Sequence, residues 1–253
     1  MTSHLIIPDT HASPDFNNDR FTWLGKLTVD LKPDVVIMLG DWVDMPSLCS
    51  YDKGTKGYEG RRYKKDIDAG LDAQEKFFAP IKAAKKRLPR LVMLEGNHEH
   101  RIIRAISSDA AHLDGIISID DLKYKEFGWE YVQYTGTTPG IIVIDSIAYA
   151  HYFTSGVMGR PISGEHPAYS LLTKQYMSCT QGHVHITDYC VRTTANHKHI
   201  HGLIAGVYQD YYANYAGEAN DLWWKGVIYK TNVKKGEYDP RWISLESIKK
   251  EYK

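Results

Sequence analysis

The chain has 253 residues, 43% hydrophobic and 25% charged, the balance of a globular protein long enough to bury a core, which excludes a mainly disordered chain. Lys plus Arg number 31 and Asp plus Glu 31, so no global field holds nucleic acid or an anionic membrane, and such binding would need a local patch. Cys49, Cys179 and Cys190 form no CxxC pair, no apolar run nears the ~20 residues of a membrane span, and the N-terminus lacks a signal-peptide pattern; a reducing, cytoplasmic location and no membrane partner are expected.

The first hundred residues alternate strand and helix signals. Residues 4–7 read as a short buried strand. From 19 to 31, Phe21, Leu24, Leu27 and Leu31 recur on one side of a helix, with Pro33 just beyond. Residues 35–39 form an apolar strand, 65–88 are mostly helical with a break or kink at Pro80, 91–94 form a third strand, and a helix starts near Glu99. This order predicts a parallel sheet with right-handed crossovers. The second half changes character. Strands are expected at 140–144, 147–153, 177–181, 189–194, 198–205, 226–231 and 241–245, with an antiparallel texture and one helix at 168–176. No linker separates the halves, so a single domain over 1–253 with two sheets is expected.

Several strands end in residues that bind metals. The first is followed by Asp9-Thr10-His11, the second by Gly40-Asp41-Trp42-Val43-Asp44, and the third by Gly96-Asn97-His98-Glu99. His151 lies in the strand over 147–153, and Gly182-His183-Val184-His185 follows the one over 177–181. In open α/β sheets ligands bind beyond the carboxyl ends of strands, so these segments are candidates for one cleft. Asp9 and His11 are two apart, as are His183 and His185; in extended backbone that spacing puts each pair on one face. Each fragment alone has a plainer reading: a turn with a surface His, a GN turn, a satisfied core histidine. Their succession at strand ends gives them weight. Carboxylates, imidazoles and an amide oxygen without a thiolate favour Mn, Fe, Zn or Ni over a thiolate-rich structural zinc site. Seven such ligands exceed one tetrahedral ion and suit two ions that share a carboxylate.

The series DxH, GDxxD, GNHE, a lone His and GHxH resembles the calcineurin-like metallophosphoesterase family, with the motifs spanning Asp9 to His185. The resemblance implies a four-layer α/β/β/α sandwich with two mixed sheets and a dinuclear metal site at the strand ends. It implies one ion on Asp9, His11, Asp41 and His185, and a second on Asp41, Asn97, His151 and His183, with Asp41 bridging. His98 would contact the phosphate and assist the leaving group, oriented by Asp44. Two divalent ions, manganese first, can clamp a phosphoryl group and ionise a bridging water for in-line attack on phosphorus. In the phosphoprotein-phosphatase branch GDxxD continues into Arg-Gly, whereas here Met45-Pro46 follows Asp44; that departure argues against a Ser/Thr phosphatase. Within the family the chain resembles the short stand-alone microbial and phage members.

The expected function is a metal-dependent phosphoesterase, a phosphodiesterase or nuclease on nucleic acid or nucleotides. The alternatives are a phosphomonoesterase or pyrophosphatase on a small molecule, and a catalytically silent scaffold. The loop 51–65 carries Lys53, Lys56, Arg61, Arg62, Lys64 and Lys65 against Asp52 and Glu59. It reads either as a phosphate clamp, with Arg61 and Arg62 as substrate contacts and Tyr51, Tyr58 and Tyr63 stacking on bases, or as a solvated loop. Arg160 is expected at the surface. His197, His199 and His201 are expected to share one strand face, and Trp223-Trp224 to be core or edge aromatics.

Overall fold

The computed structural model describes residues 1–85 and 87–253. Among these, six strands form one sheet and five form another. The first sheet contains β1 (Thr2–Ile7), β2 (Val35–Met38), β3 (Arg90–Leu94) and β4 (Glu130–Val132), all parallel. The second contains β5 (Ile142–Ile144), β6 (Ile147–Ala150), β9 (Ser178–Gln181), β10 (Thr187–Thr193) and β11 (His199–Ala205), in the order β10-β11-β9-β6-β5. Between β6 and β9 a small ribbon pairs β7 (Thr154–Ser155) with β8 (Arg160–Pro161). The chain then returns to the first sheet. A hairpin of β12 (Gly226–Lys234) and β13 (Glu237–Ser244) joins it with β12 antiparallel to β1, giving β13-β12-β1-β2-β3-β4.

Alternation along the inner strands explains the layering. Leu5, Ile7, Val36, Met38, Leu91 and Met93 face one core, packed with α1 (Asp19–Leu31), α2 (Tyr63–Ala83) and α6 (Leu245–Tyr252). Ile6, Val35, Ile37, Leu39, Val92 and Leu94 face the opposite way, onto Ile147, Tyr149 and Leu203 of the second sheet. The outer face of that sheet packs Ala148, Cys179 and Ile204 against α5 (Pro167–Gln175). The result is the α/β/β/α sandwich, and it explains why β1 to β3 read as unbroken apolar runs: they are buried on both faces. No described helix is long and apolar enough to cross a membrane.

Five expectations need correction. The second half is not simply antiparallel: in the five-stranded sheet β6, β9 and β11 are parallel neighbours, and only its edge strands β5 and β10 run antiparallel. Short apolar runs look alike in both arrangements; the crossover through α5 makes β6 and β9 parallel. The strand expected over 147–153 ends at Ala150, so His151 lies beyond its carboxyl end. The helix expected over 65–88 starts at Tyr63 and ends at Ala83, and Pro80 sits in its last turn without ending it; position 86 lies outside the described residues. Leu245, assigned to a strand, opens α6, where the Ser244 hydroxyl accepts the Ser247 N–H. His197 lies in a turn with φ 61°, off the strand carrying His199 and His201.

Candidate metal centre

Asp9, Asp41, Asn97, His151, His183 and His185 all follow the carboxyl ends of β1, β2, β3, β6 and β9, at one edge of the two packed sheets. The backbone there is not extended, as the two-residue spacing suggested. His11, Asp41, His183 and His185 have φ of 46°, 55°, 69° and 60°, the left-handed region that non-glycine residues seldom adopt. Tight loops therefore aim these side chains. The N–H groups of Thr10 and His11 both donate to the Asp41 carbonyl at 2.9 Å, tying the first loop to the second. The His183 N–H donates to Asp9 Oδ2 and the His98 N–H to Asp41 Oδ1, each at 2.8 Å. Gly96 and Gly182 allow this closeness: a Cβ on Gly96 would collide with the Asp41 backbone and carboxylate, and one on Gly182 with the Asp9 carboxylate.

Three groups have ligand atoms that lie within 4.8 Å of one another inside each group, all buried save the half-buried His183: Asp9, His11 and His185; His11, Asp41 and His98; and Asp41, His151 and His183. His183 and His185 thus belong to different groups, and Asp41 connects two of them. The chemistry of the donor set fits cations. His151 Nδ1 lies 2.9 Å from the Leu39 carbonyl, which can only accept, so Nδ1 carries the hydrogen. Its Nε2 then faces Asn97 Oδ1 at 2.8 Å and Asp41 Oδ2 at 3.4 Å. A lone pair facing two acceptor oxygens requires a proton or a metal ion among them. Burial opposes charge on His151, but the carboxylates, Asp41 foremost, push it up to about 9. Asp9 and Asp41 are fully buried; burial alone would raise both, yet the surrounding imidazoles hold them below the usual carboxylate range. Burial, then His98, lowers His11 to about 3, and burial, then His151, lowers His183 to about 4. Both imidazoles are neutral at ordinary pH and offer lone pairs. Asp9 Oδ1 and His11 Nδ1 are buried without a hydrogen-bond partner, vacant donor positions of the kind a cation fills.

A family model described as calcineurin-like phosphoesterase matches residues 4–240. The chain belongs to the calcineurin-like phosphoesterase family. It is a metal-dependent hydrolase of phosphate esters, and the ions it uses are divalent. A solved structure of a conserved protein from Streptococcus pneumoniae TIGR4, described as a predicted phosphoesterase, is similar at 10% identity, covering 97% of this chain and 90% of that one, with a TM-score of 0.37. No curated protein matches the chain.

Beside the phosphoesterase's ligand groups, His98 is set in one tautomer. Its Nδ1 donates to the Asp44 carbonyl at 2.6 Å and lies 3.1 Å from Asp44 Oδ1. Nε2 is therefore the nitrogen turned to the cluster, 3.8 Å from Asp41 Oδ2. Burial works against its charge, but Asp41 and Asp44 together raise its affinity for a proton. Sequence reasoning gave no role to Arg101, one helical turn beyond His98. It donates to the carbonyls of Asp44 and Met45 at 2.8 and 3.2 Å, and its Nη2 lies 3.3 Å from His98 Nε2. The i, i+3 spacing from His98 was the available signal.

Glu99 is the second residue the sequence left without a role. It is fully buried and accepts the N–H groups of Asp41, Val43 and Gly96 and the Tyr124 hydroxyl. Trp223, read as a core or edge aromatic, packs edge-on against His185 with ring centres 4.4 Å apart and borders the cluster with Tyr215. Only a fold-level contact brings it there, so no local pattern could have found it.

The basic loop divides. Arg61 lines a cavity of about 520 Å³ together with His11, Asp44 and His98, while its guanidinium pairs with Asp52 at 2.6 Å and donates to the Pro46 carbonyl at 3.0 Å. Arg62 is exposed, donates to the Arg61 carbonyl and is not among the cavity's lining residues. Of the three tyrosines offered for stacking, Tyr58 bonds the Ser47 carbonyl and Tyr63 bonds Asp121, which leaves Tyr51, 86% exposed, at the cavity. Arg160 is exposed, as expected.

Proposed function

We propose that the chain is a dinuclear phosphodiesterase acting on nucleotides or nucleic acid, built as one domain over residues 1–253. The observation that carries the reading is Asp41, whose carboxylate groups with His11 on one side and with His151 and His183 on the other, while His11 also groups with Asp9 and His185. Asp9, His11, Asp41 and His185 hold one ion, and Asp41, Asn97, His151 and His183 the other. Bound there, divalent ions supply Lewis acidity at the phosphoryl oxygens. Manganese is the first choice, since imidazole, carboxylate and amide oxygen without a thiolate suit it; iron, zinc and nickel are the alternatives. His98 presents Nε2 to the phosphate and hands a proton to the departing oxygen, while Asp44 fixes its ring. Three free cysteines among the described residues support a cytoplasmic location.

A second reading, a phosphomonoesterase or pyrophosphatase for a small molecule, draws on the loop. Arg61 is already paired and Arg62 is not among the cavity's lining residues, which weakens the loop as a clamp on a polymer. The test is elemental analysis of the purified protein followed by turnover of bis-aryl phosphate, mono-aryl phosphate, single- and double-stranded DNA and cyclic nucleotides with added Mn. Two ions per chain and faster turnover of diesters support the proposal. Exclusive turnover of monoesters moves the second reading ahead.

A further inference from the structure

The cavity beside the ligand groups has an unusual wall. Seven aromatic side chains are exposed among the described residues, and four of them, Phe16, Tyr51, Tyr212 and Tyr215, line this one cavity. A random scatter of exposed rings would not gather at the mouth of the catalytic centre. Phe16 is not loose. Its ring stacks on Tyr211 at 3.7 Å with 7° between the planes, and the Tyr211 hydroxyl donates to the His11 carbonyl at 2.8 Å. One face of Phe16 is thus fixed on a ring bonded to a candidate ligand's backbone, while the side chain remains 41% exposed. His11, Asp44, His98 and Arg101 form the inner end.

From this geometry we infer that the cavity is a nucleoside subsite: it holds the base and sugar of a nucleobase-bearing phosphoester whose phosphate reaches the metal centre. The inference rests on the phosphodiesterase reading and assigns the place where the nucleoside part of its substrate binds. A volume of about 520 Å³ lies in the range of small-ligand pockets, about 300–1,000 Å³. A flat base has two π-faces, which a preset ring platform binds with little loss of side-chain freedom. An aliphatic phosphoester offers nothing to stack. Arg101, at the inner end, brings a guanidinium whose hydrogen bonds go to two backbone carbonyls and to His98 and none to a carboxylate.

The test uses two diesters with the same leaving group. Thymidine 5′-(4-nitrophenyl) phosphate and methyl 4-nitrophenyl phosphate both take up water at phosphorus and release 4-nitrophenol; only one carries a nucleoside. With the Mn-loaded protein, kcat/KM should favour the thymidine ester by about tenfold or more, and Phe16→Ala and Tyr51→Ala should each cut that ratio about fivefold or more, the loss expected of one stack. Tyr51 is so exposed that its substitution leaves folding intact, which guards against a Phe16 variant that misfolds. A wild-type ratio near one, or variants that slow both esters equally, overturns the subsite. Calorimetry with thymidine 5′-monophosphate and ribose 5-phosphate supplies an independent readout. Selective binding of the thymidine compound, lost in the variants, supports the subsite even if neither ester is hydrolysed, in which case the phosphodiesterase reading alone falls; equal binding of both overturns it. Competition by oligothymidylate then separates the two sources of the nucleoside. Inhibition much tighter than by the mononucleotide, weakening steeply with salt, identifies a polymer end, and equal inhibition identifies a free nucleotide.

Discussion

Replacing Glu99 by Gln tests whether one buried carboxylate holds the loops that carry the ligands. Oε2 accepts the N–H groups of Asp41 and Gly96, both at 2.9 Å, and Oε1 accepts the Val43 N–H at 3.1 Å and the Tyr124 hydroxyl at 3.2 Å. Gln has one oxygen. Placed at the Oε2 position, it keeps Asp41 and Gly96, and the Tyr124 hydroxyl can rotate to accept from the amide. The Val43 N–H is then left facing a donor. The opposite orientation strands two N–H groups and is worse. One orphaned buried donor costs about 1–3 kcal/mol, and two bonds that lose their charge assistance give up roughly 1 kcal/mol each. Relief of a buried charge offsets part of this, because burial and then the Asp41 carboxylate push the Glu99 carboxyl up. A net loss of about 2–4 kcal/mol remains, or roughly 4–15 °C in Tm for a chain of this size. The ion content should fall as well, since the Asp41 backbone rests on Glu99. Thermal melts and elemental analysis of Glu99→Gln read both effects. A variant that melts within about a degree of the parent and keeps its ions would refute the reasoning.

Asp41→Asn should lower both ions together, whereas His11→Ala should mainly affect one; elemental analysis finding two ions per chain in Asp41→Asn contradicts the shared ligand. His98→Ala should retain its ions and lose roughly 10²–10⁴-fold in rate, with a smaller loss on an aryl diester whose leaving group needs little protonation; equal losses on good and poor leaving groups count against proton transfer to the departing oxygen. Asp66 is buried against the Ser47 N–H, at 2.9 Å, and burial pushes its carboxyl up to about 6. A folded value above the unfolded one, about 3.9, means its contribution is fully present below pH ~4 and is lost as pH rises through 6. About two units amount to roughly 3 kcal/mol. Asp66→Asn should therefore gain stability over the parent by up to that amount above pH 6, with the gap closing toward pH 4. Urea titrations showing the same gap at pH 4 and pH 8 would exclude this account.

Much of the scaffold was legible because burial writes itself into local pattern. Helix α1 has the bounds its apolar spacing gave, and β1, β2 and β3 stand where short apolar runs stood. The metal-binding residue types were legible as a series, since Asp, Asn and His are ordinary in a single turn but recur here after one apolar strand after another. What escaped was whatever depends on distant segments meeting. The C-terminal hairpin joins the first sheet through β12 and β1, more than 200 positions apart in sequence; nothing in residues 226–244 says which sheet they enter. Arg61 and Arg62 are adjacent and chemically identical, yet one lines the cavity and the other, the residue before α2, does not. Glu99 sat inside a quoted motif without a role, because its work is to tie its own loop to the one after β2, accepting the N–H groups of Asp41 and Val43 besides that of Gly96.

The ligand loops also show why the two-residue spacing was read for the wrong reason. Extended backbone would have sent Asp9 and His11 to one face, and His183 and His185 to another, at no conformational cost. Instead four candidate ligands, His11, Asp41, His183 and His185, occupy left-handed backbone. At about 1–2 kcal/mol per non-glycine residue, that strain approaches the 5–15 kcal/mol by which a typical domain is stable. It persists because other contacts over-determine the loops: the Asp41 carbonyl takes two N–H groups from the first loop, Asp9 takes the His183 N–H, and Glu99 takes three more. These bonds fix where the backbone goes, but they do not relieve the two acceptors facing His151 Nε2. Only a proton or a cation does that. A cation that binds the folded arrangement and not the unfolded chain stabilises it by mass action, so the proposed ligand set would link folding to metal binding. On the proposed ligand assignment the same link sets the division of labour: the fold holds the strained loops in register, and the ions would remove the remaining electrostatic conflict where the phosphate is proposed to bind.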